Sequence, residues 1–128
     1  MLVNSDALFP YPIEPGTRIV PEVTMRFPYR WWLNSELRLT ADPEVRAAAF
    51  DLICISQDED PPGTLPTNEE MLARMSGFTL DEWLRLMRRD PSPLHGWELA
   101  NCGARGIRHY HPVCLRIAQE ALSGDATP

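Results

Sequence analysis

Proline placement is the strongest constraint on how this chain can fold. It carries 13 prolines in 128 residues. Each fixes its own φ, removes a backbone donor and biases the preceding residue toward extended geometry. Pro10, Pro12, Pro15, Pro21 and Pro28 all fall within residues 1–30. That stretch cannot be a long helix. It reads as an extended arm, draped over a domain or partly mobile, with one short strand at Arg18–Val20 or Val23–Phe27. The remaining prolines mark element boundaries. The length suits one domain, given roughly 100–200 residues per domain, and such a chain buries about two thirds of its unfolded surface. The domain is expected over 31–122, with 123–128 as a flexible tail.

Between the prolines, apolar spacing sets out the elements. Asp42-Pro43 reads as an N-cap followed by a proline at the first helical position. Val45, Ala48, Ala49, Leu52 and Ile53 then recur at helical spacing to about Ser56. Asp58-Glu59-Asp60-Pro61-Pro62-Gly63 ends that helix in a loop read as solvated charge. A second helix is expected over Asn68–Met75, with Thr67 and Glu70 as a capping box. A third is expected over Leu80–Arg89, with Thr79 and Glu82 as another. Asp90-Pro91-Ser92-Pro93 stops it. Trp97–Asn101 and Ile107–His111 read as a hairpin turning through Gly103 and Gly106, and Pro112–Leu122 as a final helix. This predicts a mainly α fold with a small β-hairpin, an α+β winged helix-turn-helix.

The turn-helix signature lies in residues 69–88. Ala73 supplies the small residue that close helix contact needs, and Gly77 the left-handed corner. Leu72, Met75, Phe78, Trp83, Leu86 and Met87 can form the inner face. Thr79–Arg89 then becomes a recognition helix, with Arg85, Arg88 and Arg89 as DNA-contacting residues beside Arg105 and Arg108 on the wing. The competing reading makes these arginines ordinary solvated surface. Asp81 and Glu82 at the start of the helix would repel phosphates.

Charge sharpens this picture. The chain has 12 basic and 18 acidic residues, a net charge of −6, and every basic residue is arginine. Guanidinium groups suit phosphate and guanine edges, although codon composition explains the bias equally well. The net acidity argues against a nonspecific, histone-like binder without excluding a local basic face. It is unevenly spread. Residues 31–70 hold nine acids against Arg38 and Arg46, whereas residues 83–116 hold six arginines against Asp90 and Glu98. The first segment is therefore −7 and the second +4. A face of +4 neutralises few phosphates, so DNA binding would be weak and strongly salt-dependent unless a homodimer doubles the face.

Other chemistries find little support. No apolar run approaches the ~20 residues of a membrane span, and the start of the chain does not read as a secretory signal. Cys54, Cys102 and Cys114 follow no disulfide spacing, which points to a reduced, cytoplasmic protein. Cys102, His109, His111 and Cys114 form a metal-like cluster without a Cys-x-x-Cys anchor, and a packed hairpin is the better reading. Cys54 belongs to the core. No nucleophile sits beside a base partner, and no phosphate loop occurs, so neither an enzyme nor a cofactor is expected. Phe27, Tyr29, Trp31 and Trp32 could stack single-stranded bases, but such clusters more often pack an arm onto a core.

Phe27-Pro28-Tyr29, Trp32-Leu33, the alanine-rich helix at 46–53, Leu65-Pro66, Leu72-Ala73-Arg74-Met75-Ser76-Gly77 and Glu82-Trp83 together resemble a bacterial family of uncharacterised domains frequent in phages and prophages. The resemblance covers about residues 27–120 and departs from the family pattern at Asn34 and Pro66-Thr67, where acids are usual. That family is similar to the winged-helix N-terminal domains of replication initiators. The resemblance implies DNA binding or a place in a replication complex, and the function expected is double-stranded DNA binding as an accessory protein in phage-type replication or transcription control. The alternative is a protein-interaction module, an adaptor or dimerisation domain on the same fold that does not bind DNA.

Overall fold

The structure, a computed structural model, describes residues 7–19 and 24–123. The elements among them run in the order β1 (Phe9–Pro10), α1 (Tyr29–Asn34), α2 (Glu36–Thr40), α3 (Pro43–Ser56), β2 (Thr64–Leu65), α4 (Glu69–Met75), α5 (Leu80–Met87), β3 (Glu98–Asn101), β4 (Ile107–Tyr110) and α6 (Pro112–Leu122). The fold is α+β, with six α-helices and a four-stranded sheet of order β1-β3-β4-β2 among the described residues.

The hairpin falls where the sequence places it. β3 and β4 pair antiparallel, with Leu99 opposite His109 and Ala100 opposite Arg108. Gly103 and Gly106 take positive φ in the connecting turn. Two strands were not foreseen. β2 pairs antiparallel with β4, and β1 pairs in parallel with β3. Each is only two residues long, too short to show alternation, and tertiary pairing creates both.

The helix ends follow local chemistry, with some departures from expectation. Asp42 occupies the N-cap position of α3, but its carboxylate caps no backbone donor and pairs with Arg89 instead. The expected Thr67–Glu70 box is replaced by Asn68, whose side chain accepts from the Met71 N–H at 3.0 Å. The Thr79–Glu82 box forms in both directions, at 2.8 and 3.1 Å. α5 ends at Met87, with Arg88 as its C-cap. Ala73 is buried, and Gly77 turns the corner between α4 and α5 at φ +81°.

α1 and α2 were not anticipated, because neither is long enough to show a helical period. Ser35 organises both. Its hydroxyl donates to the Trp32 carbonyl at 2.8 Å, closing α1, and accepts from the Arg38 N–H at 3.2 Å, opening α2. A serine followed by an acid in the first turn is the local signal for α2.

Three apolar clusters form the core. One packs Leu52, Leu65, Leu72, Ala73 and the fully buried Trp83 beneath the α4–α5 corner. The Trp83 indole N–H donates to Glu69. A second joins Ile53, Cys114 and Ile117 to Phe27, Trp31 and Trp32. In the third, Tyr11 and Ile13 pack against Ala100, Cys102, Tyr110 and Ala118. The described part of the arm packs against the domain and contributes to its core. Its strand lies at Phe9–Pro10. Val20 and Val23, at the edges of the two expected strands, lie outside the described residues, as does the tail from residue 124 on.

Tyr11 is the anchor of the arm. Its hydroxyl donates to the Pro62 carbonyl at 2.7 Å, and its N–H donates to the Asn101 carbonyl at 3.0 Å. Gly63 makes the approach possible: it sits at φ +91°, and a Cβ there would collide with the Tyr11 hydroxyl. Tyr11→Phe deprives the Pro62 carbonyl of a buried donor. It should cost about 1–2 kcal/mol, read as a lowered urea midpoint at unchanged m-value. An unchanged midpoint would show that the hydroxyl does not hold the arm.

Candidate functional site

The five arginines singled out by the sequence do not share one fate. Arg85 and Arg88 are exposed on α5 and its C-cap, with no ion pair among the described residues. Arg89 pairs with Asp42 across to the start of α3. Arg105, in the turn between β3 and β4, reaches Asp60 at 2.5 Å. Arg108 is the most enclosed: its side chain is 15% exposed, its Nη2 meets Glu59 Oε1 at 2.6 Å and its Nε donates to Thr64 Oγ1 at 2.9 Å.

The acidic loop thus differs from its expected role as solvated charge. Glu59 and Asp60 each hold an arginine from the hairpin. Asp60 also accepts from the Gly16 N–H at 2.7 Å. That backbone hydrogen bond, with Arg105 beside it, holds the Asp60 carboxyl below the usual carboxylate range. The −7 and +4 segments are therefore complementary surfaces within one chain, and much of the basic half is neutralised by the acidic half.

A different site lies beside α3, against Ala49 and Ile53. A cavity of about 220 Å³ opens between α1–α2 and the segment leading into β3, with Trp31, Trp32, Glu36, His95, Trp97 and His111 among its lining. α1 supplies two tryptophans because its short helix turns both toward Ile53 and Cys114. Phe27 and Phe50 back them at ring distances of 5.6–6.5 Å. The turn at 93–96 supplies His95 and Trp97. Gly96 closes it at φ +88°, and a Cβ there would stand 2.8 Å from His111 Nε2, so glycine is required by both conformation and space.

His111 is the cavity's central polar group. It caps α6, its Nδ1 accepting from the Val113 N–H at 3.1 Å. That acceptor role places the proton of the neutral ring on Nε2. The ring meets Trp31 and Trp97 edge-on, at 5.4 and 5.7 Å. Burial among these rings, together with His95 nearby, pushes its pKa down to about 4, against a weaker opposing pull from Glu98. The imidazole is therefore neutral and donates from Nε2. Glu36, in the first turn of α2, stands 3.5 Å from His95 Nε2 with its side chain 73% exposed.

The metal-like residues separate. Cys102 lies in the arm cluster, Cys114 in the cluster with Ile53, and His111 at the α6 cap. No group of three His, Cys, Asp or Glu residues among the described residues is placed to hold a metal ion. Burial raises the thiol of Cys114 to about 12 and those of Cys54 and Cys102 above their ordinary value, which leaves all three as weak nucleophiles. Among the described residues, no helix is long and apolar enough to cross a membrane.

The sequence reads Trp31 and Trp32 as packing and Trp97 as the start of the hairpin, and shows nothing of the cavity they share with His111. No spacing rule joins residues 31, 97 and 111. Compared with protein-family models, curated proteins and solved structures, the chain matches none.

Two expectations follow from this geometry. Arg108→Ala should cost about 2 kcal/mol, since it strands partly buried Glu59 and Thr64, whereas Arg85→Ala should stay within about 0.5 kcal/mol; equal effects in urea unfolding would refute the distinction. Below its ordinary pKa of 6.5, the unfolded His111 takes up a proton that the folded ring refuses until about pH 4. Stability should therefore fall as pH drops through that window, with a slope approaching about 1.4 kcal/mol per pH unit. His111→Asn keeps a capping acceptor but cannot titrate, so its unfolding free energy should lose much of that slope.

Proposed function

We propose that this chain is a winged-helix-type module that holds a protein partner on its α1–α2 face and does not depend on DNA for its role. The winged-helix reading draws support from connectivity: α3, β2, the α4–α5 corner, then the β3–β4 hairpin, with β2 extending the sheet beyond β4. The resemblance of residues 27–120 to a phage-associated domain family fits an accessory role beside replication or transcription machinery.

The observation that carries the partner reading is the exposure pattern of α1 and α2. Tyr29, Leu33 and Leu39 are 57%, 43% and 62% exposed, on the same two helices that wall the tryptophan cavity. Exposed apolar side chains beside a preformed cavity, rimmed by polar groups, are the ordinary anatomy of a docking surface. The group expected in the cavity is cationic, because Glu36 is the one carboxylate in its lining; Arg30 and Arg38 stand on the same two helices but outside that lining.

DNA binding is retained as a second reading because Arg85 and Arg88 remain exposed and unpaired on the helix that follows the turn, with Arg74 exposed on α4. With Arg89, Arg105 and Arg108 neutralised within the chain, two free guanidinium groups on α5 would give a salt slope of only about −2 in log K against log[salt]. The readings separate in a gel-shift salt titration of the wild type beside an Arg85→Ala, Arg88→Ala double variant. Equal, negligible binding is expected. Salt-sensitive binding by the wild type that the double variant loses would overturn the partner reading in favour of DNA.

A further inference from the structure

We infer that the cavity bounded by Trp31, Trp32 and Trp97 receives the ammonium head of a lysine side chain presented by a partner protein. This rests on the partner reading above and names what that surface recognises.

Ring geometry suits a compact occupant better than a planar one. The lining rings that touch meet at 50° (Trp31–Trp32), 68° (Trp31–His111) and 71° (Trp97–His111). None of these contacting pairs offers two near-parallel faces between which a flat base would be sandwiched. Walls set at steep angles instead form a box, the arrangement that suits a compact cationic head attracted to aromatic quadrupoles.

Charge selects the sign of that head. Glu36 is the one carboxylate in the lining; no arginine joins it there, and its neighbour is His95, whose Nε2 stands 3.5 Å away. His111, held neutral by burial, does not oppose a cation. Its Nε2–H has no partner among the described residues and is free to donate to a backbone carbonyl of the segment that carries the lysine. A lysine in a peptide supplies both complements at once: the ammonium for the rings and Glu36, and the carbonyl for His111. The occupant must come from outside, because this chain contains no lysine.

The test uses tryptophan fluorescence of the full chain, titrated with a short acetylated, amidated Gly-Lys-Gly peptide, its norleucine counterpart, tetramethylammonium and AMP. Saturable quenching by the lysine peptide is expected, with binding at least tenfold weaker for norleucine and for AMP. Glu36→Gln should weaken lysine-peptide binding about tenfold at unchanged melting temperature, while the Arg85→Ala, Arg88→Ala variant binds as wild type. Tetramethylammonium should bind more weakly than the peptide, since it offers His111 no carbonyl; tighter binding of the free cation would overturn the assignment to a protein side chain. Equal binding of lysine and norleucine peptides, preference for AMP, or no saturable response to the lysine peptide at millimolar concentration would each overturn the inference. Failure here with DNA binding still negligible removes the cavity assignment alone. DNA binding in the gel shift removes the reading on which it rests.

Discussion

Arg108 sits where the two halves of the chain meet. From β4 it reaches Thr64 on the neighbouring strand and Glu59 in the loop after α3. With its side chain largely enclosed, this guanidinium ties the hairpin to the front half through charge-assisted hydrogen bonds. The next residue in that loop, Asp60, extends the tie to Arg105 and to the backbone of Gly16 in the arm. Pro62 and Gly63 receive Tyr11 in the same loop. Arm, loop, β2 and hairpin thus converge on one short acidic segment. Such a pair is costly to break because an uncompensated charge would be left partly desolvated.

That arrangement changes what the charge distribution means. A basic stretch in a sequence invites a nucleic-acid reading, since phosphate neutralisation needs cations. Once Asp42, Glu59 and Asp60 have taken Arg89, Arg105 and Arg108, the exposed positive charge of the back half is small. The tryptophan cavity gains weight by the same comparison. It combines aromatic walls, a carboxylate and a histidine whose tautomer is set by the α6 cap. Its shape comes from two unrelated local decisions, the serine that divides α1 from α2 and the glycine that presses the 93–96 turn against His111.

Legibility tracked the range of the interaction concerned. The Thr79–Glu82 box, the Gly77 corner, the proline at the start of α3 and the hairpin glycines each depend on residues a few positions apart, and each stands in the fold as read. Thr67–Glu70 failed because Asn68 competes for the same first-turn donors and wins with a closer acceptor position. The short helices at 29–40 were hidden because six and five residues carry no period. β1 and β2 were hidden for the same reason.

By itself, the sequence determined an α+β order of elements, the corner between α4 and α5, an arm too rich in proline to be helical, and a polarised charge pattern. These rest on backbone stereochemistry and nearest-neighbour hydrogen bonding, which act over a few residues. Only the tertiary structure decided which arginines are spent and which are free, that the arm enters the core, and that Trp31, Trp97 and His111 share a cavity. Those outcomes depend on contacts between residues far apart in the chain. Complementary charge and packing select such contacts only after the local elements exist.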